Sequence, residues 1–266
     1  MEHGQIGSFT FIGTATALIR LGQFTVLTDP NFLHRGQHAY LGYGLTSRRL
    51  TEPSMTVDEL PDLDAIVLSH FHGDHWDRIA TRQLDRAVPV ITTRDAAKRL
   101  RHRGFAAATG LRTWQTHTLA LGDETLTISS LPGRHAPGPA QKLLPPVMGS
   151  MLEYALDGTV QSRLYITGDT LLIPELAEIP QRFSEIDYAM LHLGGTRLPG
   201  GLMVTMDGRQ GTELVKLLPE STLSIPVHYD DYDVFKSPLS DFVAATEAAG
   251  VEARVRYVER GQTVTL

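Results

Sequence analysis

The chain has 266 residues, 42% of them hydrophobic, enough to bury a large core in one domain or two small ones. It contains no cysteine, which excludes disulfides, thiolate ligands and thiol nucleophiles and leaves any metal to His, Asp and Glu. A net charge of −6 gives no general attraction to phosphate backbones, so nucleic acid is not an expected partner, and no run approaches the roughly 18 apolar residues of a membrane span.

Residues 1–21 show no basic stretch followed by an apolar block, so the expectation is an unprocessed, cytoplasmic chain without an integral membrane segment. Three β-rich runs then follow one another, SFTFIG, TALIRL and FTVLTD, separated by short glycine-containing turns that predict a meander. The run AIVL, Ala65 to Leu68, reads as a buried strand, and a helix is expected over Trp76 to Ala87. PVITT reads as a strand, and the basic run RDAAKRLRHRG from Arg94 as a surface helix with a solvated face. Strands are expected at THTLAL, ETLTISSL, MLEYAL, RLYITGD, YAMLHLG and TLSIPVH. Helices are expected at IPELAEI, GRQGTELVKLL and PLSDFVAATEAAG, the last ended by Gly250. No linker divides the chain. The expectation is therefore one domain over 1–266, built from two halves of about 1–120 and 121–266, with mixed α and β elements forming two packed sheets and helices outside. Two stretches fit no regular structure, Asn31 to Thr56 and Gly133 to Gly149; both are rich in Gly and Pro, and long loops of this kind are usually lids or binding loops.

Directly after AIVL comes LSHFHGDHWD, with three histidines and two aspartates at the C-terminal end of a strand, where α/β proteins commonly place their ligands. Imidazoles from His70, His72 and His75 with the carboxylate of Asp74 form a set suited to Zn²⁺, Fe²⁺ or Mn²⁺. Neighbours Asp74 and His75 must diverge while His70 and His72 can converge, so two metal sites sharing one loop are the natural arrangement; a mononuclear site and a metal-free surface loop are the alternatives. Further candidates end later strands: His135, Asp169 and His228. Each alone has an ordinary reading, as a turn His, a turn Asp after Gly168 and a core His.

HFHGDH fits the HxHxDH signature of the metallo-β-lactamase fold hydrolases, and His135, Asp169 in GDT and His228 follow in that family's order. With GTATALI, LTDPNF, RHAP, YITGDT and IPVHYD, the chain most resembles the branch containing L-ascorbate-6-phosphate lactonase and N-acyl-phosphatidylethanolamine phospholipase D. The resemblance implies a four-layer αβ/βα sandwich, an α+β or α/β fold. It also implies two divalent metal ions, Zn²⁺ foremost with Mn²⁺ or Fe²⁺ as alternatives. His70, His72 and His135 would hold the first, Asp74, His75 and His228 the second, and Asp169 would bridge them. Asp29 in LTDP would support a ligand histidine from behind.

Asp74 and Asp169 are then the catalytic carboxylates of a hydrolase, because water shared by two cations loses its proton near neutral pH and can attack a small ester, lactone or phosphoester. An iron-dependent oxidoreductase on the same fold, of the persulfide dioxygenase type, and a non-catalytic metal-binding protein are the rival readings. Candidate contacts to a small-molecule substrate are Arg48, Arg49, Arg134 and Lys142 in the two irregular stretches, and His192 at a strand end; the acidic YDDYD, Tyr229 to Asp233, would repel an anion if it faced the cleft.

Overall fold

The computed structural model describes residues 6–198 and 200–266; the first five residues of the segment read for a leader lie outside them. The expected meander is formed by β1 (Gly7–Gly13), β2 (Thr16–Leu21) and β3 (Phe24–Thr28), all antiparallel. The stretch expected to be irregular contains a hairpin of β4 (His38–Gly42) and β5 (Leu45–Arg48). Its short strands lie largely at the surface, so they lack the apolar alternation that would announce them.

Strand β6 (Ala65–Val67) pairs parallel with β3, and β7 (Val90–Thr93) and β8 (Ala108–Leu111) continue the sheet in parallel, with α1 (Arg78–Gln83) and α2 (Arg94–Arg101) between them. Helix α1 is shorter than expected because Asp77 caps the Ala80 amide at 2.8 Å and Leu84 turns extended at ψ 142°. The second sheet opens with the antiparallel strands β9 (Thr116–Leu121), β10 (Glu124–Leu131), β11 (Gly149–Leu156) and β12 (Thr159–Ile166). After α3 (Glu178–Arg182) it adds β13 (Tyr188–His192), α4 (Gly208–Leu217), β14 (Leu223–Val227) and α5 (Leu239–Ala249), with β12, β13 and β14 parallel. Gly250 ends α5 at φ 68°, a left-handed cap that favours glycine.

Strand order is β15-β1-β2-β3-β6-β7-β8 in one sheet and β14-β13-β12-β11-β10-β9 in the other. The last strand, β15 (Thr263–Thr265), crosses back to pair with β1. The boundary between the sheets therefore falls near residue 116, but the C-terminus belongs to the first sheet.

Successive side chains on a strand face opposite ways, and this sorts the core into three layers. Val26 and Val67 of the first sheet meet Ile166 and Met190 of the second between the sheets. Their neighbours Leu27 and Ile66 turn outward onto Ala80 of α1 and Ala96, Ala97 and Leu100 of α2. On the other outer face Tyr165, Ala189 and Leu191 pack on Leu214 and Val215 of α4 and Phe242 of α5. The result is the four-layer αβ/βα sandwich. Strands β3 and β6 run in one direction, as do β10, β12, β13 and β14, so within each sheet their C-terminal ends reach a common edge.

Candidate metal centre

That edge gathers Asp29 after β3, His70 to His75 after β6, His135 after β10, Asp169 after β12, His192 at the end of β13 and His228 after β14. Two of these positions have unusual backbones, Asp29 at φ 35° and His228 at φ 63°. A side chain other than glycine is strained there, and such strain persists where the surroundings over-determine it. The His228 amide donates to Thr14 O at 2.8 Å, which pins the strained residue to the turn between β1 and β2. Gly168, at φ 60°, precedes Asp169 where an added Cβ would come within 2.8 Å of Met148 O and 2.9 Å of Ser69 Cβ, so glycine is required for the chain to pass.

The side chains form two adjoining groups. In the first, His70, His72 and His135 turn ring nitrogens toward one another: His70 Nε2 and His135 Nε2 lie 3.0 and 3.2 Å from His72 Nδ1. His135 Nδ1 donates to Val204 O at 2.6 Å, so in the neutral ring its Nε2 presents a lone pair. Burial lowers the pKa of all three, to about 3 for His72, and keeps them in the form that binds metals. His72 alone of the seven proposed ligands is half-buried rather than buried.

The second group is Asp74, His75, Asp169 and His228, all buried. His75 Nε2 lies 3.4 Å from Asp169 Oδ1 and His228 Nε2 lies 3.5 Å from Asp74 Oδ2. Asp74 Oδ1, His75 Nε2, Asp169 Oδ1 and His228 Nε2 are buried with no hydrogen-bond partner among the described residues. Buried polar atoms are rarely left so, and four side chains that each carry one, with ligand atoms within 4.8 Å of one another, are what a cation would satisfy. Both groups therefore fit divalent metal ions of the zinc type by donor chemistry, and the second also by unmet bonding capacity.

Three carboxylates govern His75. Burial alone would lower its pKa, but Asp169, Asp29 and Asp74 together raise it well above the usual imidazole range. Without metal the ring therefore holds a proton that a cation must displace. Asp74 is drawn down to about 2: burial opposes this, and His75 and His228 overcome it. Asp169 divides its oxygens, for Oδ1 faces His75 and His228 while Oδ2 accepts from Thr205 Oγ1 at 2.9 Å. Its carboxylate joins the second group and not the three-histidine group.

Around the groups lie two cavities. One of about 480 Å³ is walled by Leu41, Leu45, Leu198, Val204 and Val234 and reaches His72, Asp74, His135 and Asp169, with Arg197 and Lys236 also lining it. The other, of about 810 Å³, shares Leu41, His72 and Leu144 with it.

The expected substrate contacts are placed differently. Arg49 is fully buried, paired with Asp231 at 3.4 Å and donating to Asn31 Oδ1, so it holds the hairpin to the segment after His228 and faces no cavity. Asp231 also accepts from the Thr14 amide at 2.7 Å and from Thr51 Oγ1. Asp233 accepts from Ser47 Oγ at 2.8 Å and from the Arg48 amide at 3.0 Å. The acidic segment after His228 thus anchors the hairpin and lines neither cavity. Arg48 lines neither cavity, and Arg134 is turned onto Glu175 at 2.5 Å. His192 is buried, its Nε2 3.3 Å from Asp29 Oδ2 and its Nδ1 3.2 Å from Thr167 Oγ1, and it too lines neither cavity. Only Lys142 lines a cavity, the larger one. Of the basic residues that do line the walls, Arg197 and Lys236 are isolated in sequence, whereas Arg99 and Arg103 belong to the basic run read as a solvated face, at an interval of four continued from Asp95 along α2 and the turn after it.

No helix among the described residues is long and apolar enough to cross a membrane. The model of the beta-lactamase superfamily domain matches residues 25–229. The chain is 27% identical over 244 residues to the N-acyl-phosphatidylethanolamine-hydrolyzing phospholipase D 1 of Caenorhabditis elegans, covering 86% of this chain but only 66% of that enzyme. It is 29% identical over 208 residues to a UPF0173 metal-dependent hydrolase of Deinococcus radiodurans, covering 76% of this chain and 80% of the relative. The structure of a possible metal-dependent hydrolase from Veillonella parvula shares the fold at a TM-score of 0.82 and 21% identity, over 98% of this chain and 100% of that one. The chain therefore belongs to the beta-lactamase superfamily and has the metallo-β-lactamase fold.

Proposed function

We propose that the protein is a dinuclear hydrolase acting on a small ester, lactone or phosphoester, and that its two halves work as one catalytic unit. The observation that carries this reading is the convergence of four buried side chains, Asp74, His75, Asp169 and His228, each with an orphaned polar atom, beside a separate trio of facing imidazoles. Two divalent cations, zinc foremost, would there lower the pKa of a water toward neutrality and polarise the scissile oxygen.

The chain's own residues prepare that chemistry. His70, His72 and His135 supply three neutral nitrogens to one site, and Asp74, His75 and His228 hold the other. Asp169 places negative charge beside the second group, and its Oδ2, though already accepting from Thr205, keeps a lone pair with which the carboxylate would bridge the sites. Val204 O and Asp29 orient His135 and His75 from behind. The walls of the smaller cavity are largely apolar beside the ligands, while Arg197 and Lys236 favour a substrate that carries or develops negative charge. A panel of lactones, phosphodiesters and acyl thioesters, offered to protein of defined metal loading, tests the proposal. Metal-dependent turnover of one class that is lost in Asp74→Asn supports it; turnover indifferent to chelation, or none across the panel at full loading, contradicts it.

A further inference from the structure

The larger cavity is bordered by five cationic side chains, Arg78, Arg82, Arg99, Arg103 and Lys142. Arg78 and Arg82 stand one turn apart on α1, and Arg99 and Arg103 keep the same interval on α2 and the turn after it, so each places an exposed basic face along the cavity border. The guanidinium carbons of Arg103 and Arg99 lie 4.8 and 6.0 Å from the centroid of one ring, Phe71, so the two charges converge on it while remaining open to solvent. Counter-charge is scarce. Asp95 pairs with Arg99 at 2.8 Å, but Asp77 has both oxygens occupied by the backbone amides of Phe32, Leu33 and Ala80. In a chain of net charge −6, this concentration of solvent-facing positive charge around a half-open cleft makes a local field that would attract an anion.

We infer that this cavity binds a phosphate group, carried either by the substrate whose scissile bond lies over the metal ligands or by a free phosphate ion. Guanidinium forks match phosphate oxygens two at a time, and a dianion suits several converging cations better than a single carboxylate does. The volume of about 810 Å³ suits a small molecule. Leu41, His72 and Leu144 border both cavities, so a molecule seated over the ligands would reach the basic chamber past the half-buried His72. The substrate source rests on the hydrolase reading above, whereas the binding itself does not.

Calorimetric titration of inorganic phosphate into chelator-treated and metal-loaded protein tests the site without requiring turnover. Phosphate should bind in both states, and Arg99→Glu with Arg103→Glu should weaken it by at least about tenfold, the loss of one charge-assisted contact. Arg99→Gln with Arg103→Gln provides the milder pair should charge reversal disturb folding, which circular dichroism monitors. Phosphate affinity unaltered in a folded pair, or binding only when metal is present, would overturn the inference. The source is read from hydrolysis of p-nitrophenyl butyrate by metal-loaded protein. A rise in KM with phosphate, abolished in the arginine pair, assigns the chamber to the substrate, whereas a change in kcat at constant KM, abolished likewise, assigns it to a free anion. Arginine-dependent phosphate binding in a protein that at full metal loading turns over neither this ester nor any member of the panel above would sink the hydrolase reading and leave the site standing.

Discussion

His75 Nδ1 lies 3.2 Å from Asp29 Oδ2, and this contact decides which nitrogen His75 offers to a metal. With Nδ1–H donated to the carboxylate, Nε2 must face Asp74 and Asp169, where it has no other partner. Asp29 is itself held by the Ser69 amide and by His192, at 2.7 and 3.3 Å.

Asp29→Asn keeps an acceptor for Ser69 but removes the charge and presents a donor amide to the two imidazoles. Metal affinity should fall about 10–100-fold, read by competition with a chromophoric chelator, as removal of a supporting carboxylate commonly does. An unchanged affinity would separate Asp29 from the ligand that it touches.

His192 shares Asp29 from the opposite side and is fully buried. His192→Gln should therefore weaken metal binding and leave the KM of any substrate unmoved, the reverse of what a substrate contact would do. Steady-state kinetics at saturating metal distinguish the two.

Arg49→Met should destabilise the fold by about 3 kcal/mol, because it leaves Asp231 buried with a weaker set of partners. Arg260 Nη2, 3.1 Å from Asp231, keeps the cost from being larger. Urea midpoints give the difference, and Arg49→Met with Asp231→Leu should recover most of it. A surface arginine at this position would change stability by no more than about 0.5 kcal/mol.

These contacts mark the boundary of what could be read from residues alone. HFHGDH and the strand-end positions of His135, Asp169 and His228 were legible because metal chemistry restricts the donor types and strand ends fix their direction. The two-sheet sandwich was legible too, from apolar runs of strand length separated by helical ones. The fate of Arg49 was not: its counter-ion Asp231 is 182 residues away, and no local pattern tells a buried arginine from a rim arginine. Hairpin β4–β5 was missed because its outward Tyr40 and Tyr43 break the apolar pattern of a strand. The basic face of α2 is solvated as the run from Arg94 suggests, but that it also borders a cavity was not legible, because the opposite wall is made by Phe71, Lys142 and the hairpin.

The histidines also set how metal-free protein responds to acid. His70, His72, His135 and His192 have lowered folded-state pKa values, so below about 6.5 the unfolded chain binds protons that the folded chain refuses. Stability from these four is present above that pH and lost as pH falls, toward about 3 for His72. His75 has the opposite sign: its contribution is fully present below about 6.5 and declines as pH rises through its raised folded value. Four groups outweigh one on the acid side. Urea midpoints of chelator-treated protein should drop between pH 7 and pH 5; a flat or rising profile would contradict the neutral, buried imidazoles.

The central claim, two metal sites built on one loop, is tested most directly by elemental analysis of reconstituted protein purified free of excess metal. About two ions per chain are expected, falling to about one in His228→Ala, which removes a ligand of the second group and leaves His70, His72 and His135 intact. One ion per chain at saturation, with His228→Ala leaving that number unchanged, would contradict the account.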